Sequence, residues 1–317
     1  MSSGGSKKAV LAAMLANLGI AVAKLVAFVI TRSSSMLAES VHSLADTGNQ
    51  ILLMFGASRA KKEATPLHPF GYSRERYFWA FVVAIILFTL GAMFAMYEGV
   101  EKMLDPHEIE SPQWAIGTLL IAVALESWSF RTAMRESAEL RGDATWAQFI
   151  RRSKVPELPI VLLEDSGALV GLMVALVAII LSIVTGNGVW DGVGSFVIGS
   201  LLFVIALVLA IEMKSLLIGE AADPVVEEQI ILAIEESEPV VSLIHLRTEH
   251  LGPEDLLVVA KVEFNGDLIM RDLADSVDQV EANIRARVPE ARLLFIEPDV
   301  RREYPQGPPL EAIIPEP

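Results

Sequence analysis

Apolar residues dominate six windows of the chain, at about 9–30, 35–58, 77–101, 112–133, 158–185 and 190–213. Each is close to the roughly 20 residues that a helix needs to cross a bilayer. The first follows a polar, Gly/Ser-rich start, Met1 to Lys8. It is too long for a secretory signal and lacks a small-residue cleavage site, so it reads as the first span. Past Lys214 the pattern changes to that of a soluble α+β domain. Pro224 opens an amphipathic helix that runs to about Glu238, and alternation from Val240 to His250 predicts a strand. The Gly252-Pro253 turn leads to a second strand, Asp255 to Phe264. A polar helix from Met270 to Val288 and a strand from Ala291 to Pro298 complete the order α-β-β-α-β. The tail from Tyr304 has five prolines and no apolar period, which predicts disorder.

Basic residues fix the orientation of the spans, because Lys and Arg gather on the cytoplasmic side. Lys7 and Lys8 precede the first span, and Arg59, Lys61, Lys62, Arg74 and Arg76 surround the loop between the second and third. Arg131, Arg135, Arg141, Arg151, Arg152 and Lys154 lie around the loop between the fourth and fifth, and Lys214 follows the sixth. The opposite loops hold only Arg32 and Lys102. Both termini are therefore expected inside the cell.

Composition sharpens this picture. With 53% hydrophobic residues and a mean hydropathy of +0.48, part of the chain must reside in lipid. The net charge of −15 is concentrated at the C-terminal end, where residues 215–317 carry 22 acidic and 8 basic side chains. Such a surface repels phosphate, so no nucleic-acid partner is expected. The chain has no cysteine, which excludes disulfides, thiolate zinc sites and soft copper(I) chemistry. Any metal site must use His, Asp, Glu and neutral oxygen ligands.

Ionisable residues inside a span are costly and usually face a polar cavity. The second window holds Glu39, His42, Asp46, Asn49 and Gln50, and the fifth holds Glu164 and Asp165. On a helix His42 and Asp46 lie about 40° apart and about 6 Å along the axis, on one stripe with Glu39 and Asn49. A neutral imidazole and a carboxylate so placed can share a borderline divalent cation, with two further ligands from a facing helix. Asp165 and Glu164 offer them, although neighbours in sequence point about 100° apart, and Asp165 is the stronger candidate. The other reading of the same residues is a buried hydrogen-bonded cluster that joins the second and fifth spans. Glu126, with Ser127 and Ser129, suits either a supporting, proton-carrying role or interhelical hydrogen bonding. Lys24 can pair with a carboxylate or extend to the interface, and His68 reads as a surface histidine.

These residues carry a resemblance to a known family, the cation diffusion facilitators, which are metal and proton antiporters. The run Met36-Leu-Ala-Glu-Ser-Val-His-Ser-Leu-Ala-Asp46 resembles the family's helix-two metal motif, with His42 and Asp46 in ligand positions. His68-Pro-Phe-Gly-Tyr72 is similar to its His-x-Phe-Gly-His loop. Two departures stand out. The family's helix-five His-x-x-x-Asp has Val161 in place of the histidine when Asp165 is the aspartate, with Glu164 as an extra carboxylate, which resembles a subgroup bearing Leu-Leu-Glu-Asp there. Tyr72 replaces a ligating histidine, so no loop metal site is expected, and only His245 and His250 remain in the C-terminal domain.

The resemblance implies an α-helical membrane protein with six transmembrane helices, residues 1–214, and an α+β, ferredoxin-like cytoplasmic dimerisation domain, residues 215–303, before the tail 304–317. It implies a homodimer in the lipid bilayer, a bacterial inner membrane or an organellar one, that exports a divalent ion against protons. Zinc heads the candidate ions, followed by manganese, iron(II), cobalt and cadmium. The ligands would be His42, Asp46, Asp165 and Glu164, with no resident cofactor and no enzymatic activity. An intramembrane hydrolase is disfavoured because neither Gly-x-Gly-Asp nor His-Glu-x-x-His occurs. A metal receptor that signals without transport stays open and would differ in showing no flux.

Overall fold

The computed structural model describes residues 18–109 and 111–301. Lys7, Lys8, the start of the first window and the tail from Tyr304 lie outside the described residues. The chain divides into two compact units, Met1–Ile218 and Gly219–Pro317.

The first unit is all helix. Its described elements are α1 (Leu18–Thr31), α2 (Ser34–Arg59), α3 (Glu75–Leu104), α4 (Pro112–Arg141), α5 (Trp146–Arg152), α6 (Glu157–Thr185) and α7 (Val189–Ile218). Three of these, α3, α6 and α7, are long and apolar enough to cross a membrane. The described part of α1 is apolar and shorter. Local chemistry sets the boundaries. Ser33 caps α2 by accepting a hydrogen bond from the Met36 N–H, and Pro112 stands at the start of α4, where its missing N–H costs nothing. Gly186 ends α6 with a left-handed φ of 63°. Helix α5 has a reciprocal cap between Thr145 and Gln148; it falls in a loop whose sequence has no long apolar period and was not expected from it. Helix α3 includes a π-helical stretch, Leu87–Met93.

Small residues bring α3 and α7 into backbone contact. A Cβ on Gly99 would stand 2.5 Å from the Phe196 nitrogen, and one on Gly199 would stand 2.7 Å from the Met96 nitrogen. Close approach of this kind drives helix association where no water is available to be excluded. The interior beneath it is Ala-, Leu- and Ile-rich, with Tyr77, Leu119, Ile160, Leu172, Ile179 and Leu209 completely buried. Outward, Leu120, Ile121, Trp128, Val204 and Ile211 are exposed, which suits a lipid surround.

The second unit runs α8 (Pro224–Glu235), β1 (Val240–Gly252), β2 (Asp255–Phe264), α9 (Met270–Arg287), β3 (Leu293–Asp299). The sheet order is β1-β2-β3, antiparallel between β1 and β2 and parallel between β2 and β3. Alternate residues of β2, from Leu256 to Phe264, are buried against Ile230 and Ile234 of α8 and Val280 and Ile284 of α9. Strand β1 is bulged in three places, and Lys261 on β2 pairs with Glu297 and Asp299 on β3.

Candidate metal centre

The site depends first on where α2 begins. Asp191, in the first turn of α7 and completely buried, grips that end. Its carboxylate accepts from the N–H groups of Ser34 (2.8 Å) and Ser35 (3.3 Å). It also accepts from the hydroxyls of Ser33 (2.8 Å), Ser34 (3.4 Å) and Ser35. These are the orphan donors of a helix start, and a carboxylate there meets the positive end of the helix dipole. Nearby, Lys102 donates to the carbonyl of Arg32, which has a φ of 55° and forms the tight link from α1.

About two turns further along α2 comes the polar stripe. His42 is 1% exposed, and its Nδ1 lies 3.5 Å from Asp46 Oδ1. The contact is too long or too bent to be a hydrogen bond, because neither ring nitrogen nor Asp46 Oδ1 has such a partner among the described residues. Buried polar atoms are nearly always satisfied, so these three on adjacent turns call for a partner other than the described side chains. Lys24 of α1 approaches the same stripe and donates to Glu39 (3.1 Å) and Ser43 (2.7 Å). Of the two roles open to Lys24 in the sequence, the structure has the paired one: the residue is completely buried.

The facing residues come from α6 and α4. Glu164 Oε1 accepts from Asn49 Nδ2 of α2 at 2.6 Å, and Asp165 Oδ2 accepts from Ser129 Oγ of α4 at 3.1 Å. The 100° between neighbouring residues is thus divided, one carboxylate turning to each adjoining helix. Between them lies a cavity of about 10 Å³ lined by Ser43, Asp46 and Gln50 of α2, Glu126 of α4, and Val161, Glu164 and Asp165 of α6. That is room for roughly one water-sized sphere. His42 stands behind Asp46 and does not line it. Among the described residues no three His, Asp or Glu side chains are close enough to hold one ion as they stand. Each carboxylate keeps a second oxygen, so Glu164 and Asp165 can stay hydrogen-bonded to Asn49 and Ser129 while turning that oxygen to an ion.

Four carboxylates from three helices around so small a space concentrate negative charge that a cation or protons must neutralise. The chemistry is that of a hard, oxygen-rich site with one imidazole within reach. Residues 10–218 match the cation efflux transmembrane domain. The chain belongs to the cation efflux, or cation diffusion facilitator, family. That family is one of transporters, and with its apolar helices the chain is a membrane protein. Among cation efflux relatives, the mouse protein named proton-coupled zinc antiporter SLC30A9, mitochondrial, is 32% identical over 259 residues, 80% of this chain and 45% of its own length. Metal tolerance protein C4 of Arabidopsis thaliana is 29% identical, over 84% of this chain and 59% of its own. The chain therefore spans about half the length of these relatives. The manganese efflux system protein MneP of Bacillus subtilis is 20% identical over 92% of this chain and 95% of its own. A solved C-terminal domain of MamM, in a nickel form, resembles 25% of this chain with 19% identity and a TM-score of 0.24.

Three features of this cation efflux chain were not assigned from the sequence. Asp191 sits at the very start of an apolar window, where a carboxylate usually meets solvent; the Ser33-Ser34-Ser35 run before the second window was the available signal. Pairing with a carboxylate is one of the two roles the sequence offers Lys24, but it does not name the partner, Glu39, 15 residues away. For Glu126 the sequence leaves a supporting, proton-carrying role and interhelical hydrogen bonding both open, and the structure puts it in the cavity wall.

Proposed function

We propose that the chain is a secondary transporter that exports a divalent metal ion, zinc first among the candidates, in exchange for protons. The observation that carries this reading is the cavity where carboxylates of α2, α4 and α6 meet beside an unsatisfied buried imidazole. His42, Asp46, Glu164 and Asp165 are the proposed ligands. The ion enters when the imidazole is neutral and the carboxylates are ionised, and protons arriving from the more acidic side displace it.

The remaining architecture follows the same reading. With α1, α2 and α4 joining α3, α6 and α7, residues 1–214 form six spans. Helices α2 and α4, of 26 and 30 residues, reach about 39 and 45 Å at 1.5 Å per residue, enough for a hydrocarbon core of about 30 Å. Polar residues interrupt their apolar composition, and of these Ser43, Asp46 and Gln50 of α2 and Glu126 of α4 line the cavity. The basic loops put both termini in the cytoplasm, of a bacterium or on the matching side of an organellar membrane. Residues 215–303 form a cytoplasmic dimerisation domain of a homodimer, followed by the tail 304–317. The Leu162-Leu163-Glu164-Asp165 run supports membership of the subgroup with that signature.

The test is uptake of zinc, manganese, iron(II), cobalt and cadmium into sealed proteoliposomes under a pH gradient, with Asp46→Ala and Asp165→Ala beside wild type. Flux of one ion, driven by the gradient and abolished by both substitutions, supports the proposal. Binding without flux assigns the chain to metal reception instead, and flux indifferent to the gradient removes the proton coupling.

A further inference from the structure

The Lys24–Glu39 pair lies outside the proposed ligand set, yet Glu39 stands on the α2 face that presents His42 and Asp46, and Lys24 reaches it from α1. On α2, Glu39 is three residues before His42, and Ser43, which lines the cavity, is three before Asp46; residues three apart on a helix are surface neighbours. Lys24 holds one oxygen of Glu39, Oε2, at 3.1 Å. The other, Oε1, is buried with no hydrogen-bond partner among the described residues. It faces α6, where a Cβ built on Gly171 would stand 2.5 Å from it. A fifth carboxylate on the site's own helices thus has one oxygen free and the other tied to a lysine from α1.

Resting on the ligand assignment proposed above, we infer that Lys24 sets the affinity of the site by keeping Glu39 out of the metal's coordination shell. Both residues are completely buried, so the ammonium has no water to retreat into and its charge stays beside the site. Its positive charge opposes a divalent ion, and its hydrogen bond holds the carboxylate that the ion would otherwise recruit. Glu39 is a hard oxygen donor of the kind such an ion accepts, and adding it to the ligand set would favour retention over release. A transported ion must be bound well enough to enter and loosely enough to leave. Gly171 has a part in this: without a Cβ it lets Glu39 occupy the interface with α6 while bound to Lys24.

The experiment is calorimetric titration of zinc into the purified full chain in detergent, paired with zinc uptake rates in proteoliposomes. The variants are Lys24→Met, Lys24→Arg, Glu39→Gln, the Lys24→Met/Glu39→Gln double and Asp46→Asn. Lys24→Met is expected to bind zinc about tenfold more tightly, with KM and kcat both lowered. Lys24→Arg keeps the charge and stays near wild type, and the double variant returns to within about twofold of it. A Lys24→Met protein that unfolds at lower temperature with unchanged or weaker zinc affinity would make the pair a structural pin and overturn the inference. Should that variant not fold, Glu39→Gln decides, since it leaves the cation uncompensated. Weaker zinc binding by about tenfold is then expected, and unchanged binding overturns the inference. Asp46→Asn separates the two layers: if it binds zinc as well as wild type, the ligand assignment itself fails, whatever Lys24 does.

Discussion

Replacing Asp191 by alanine removes the acceptor for the first turn of α2, and the cost can be worked from the contacts. The hydroxyls of Ser33 and Ser35 lie 3.3 Å apart and can turn toward each other. The N–H groups of Ser34 and Ser35 have no such freedom, and both point at the lost carboxylate. Two stranded donors at about 1–3 kcal/mol each, with loss of the charge at the helix terminus worth up to about 1–2 kcal/mol, give roughly 4 kcal/mol. For a unit of this size that is about 8–16 °C in the unfolding midpoint. Asp191→Asn keeps one oxygen and the shape of the side chain, so it should lose about half as much. Thermal unfolding of purified variants in detergent reads the order directly, with Glu101→Ala, exposed on the same helix that Asp191's helix packs against, as a control without effect. An alanine variant within about 2 °C of wild type, or an asparagine variant less stable than the alanine one, would refute the reasoning.

Three further outcomes follow from other parts of the molecule. Gly99→Ala drives a methyl group to 2.5 Å from the Phe196 nitrogen and 2.7 Å from the Gly192 carbonyl; backbone cannot step aside, and a loss of about 2–3 kcal/mol is expected in the same unfolding measurement. Ile284→Ala empties a completely buried position between α9 and the sheet and should cost about 2–5 kcal/mol, seen as earlier proteolysis of the C-terminal unit, while equal protection at matched protease would count against it. Zinc affinity should fall as the pH is lowered from about 7.5 to about 5.5, because imidazole and carboxylate ligands take up protons in exchange for the ion. Calorimetry at the two pH values checks this, and equal affinities would remove the proposed ligand chemistry.

Periodicity carried most of the secondary structure. The windows 77–101, 158–185 and 190–213 lie inside α3, α6 and α7, and the strand predicted from Asp255 to Phe264 is β2 residue for residue. An alternating strand and an apolar helix each repeat their signal many times, so single exceptions do not hide them. The i, i+4 spacing of His42 and Asp46 likewise brings them to 3.5 Å, because only helix geometry is involved. What spacing could not supply was the identity of partners across helices. That Asn49 meets Glu164, that Ser129 meets Asp165 and that Lys24 meets Glu39 depends on how helices rotate about their own axes in the packed unit. The short helix α5 escaped for a different reason, since one capping box and seven residues give too little periodicity to read.

The π-helical stretch Leu87–Met93 in α3 has the effect of one residue inserted into an otherwise regular helix. One residue corresponds to about 100° of rotation, so the two ends of α3 are indexed to different clocks. Tyr77, Ala80, Val83 and Ala84 are buried before the insertion, and Ala92, Ala95 and Gly99 from its end onward. Deleting a single residue within 87–93 would let the hydrogen bonds close into a plain α-helix and turn Gly99 about a quarter revolution away from Gly192. The chain would keep nearly its whole composition and lose the mesh between α3 and α7, as a gear loses its train when one wheel slips a tooth.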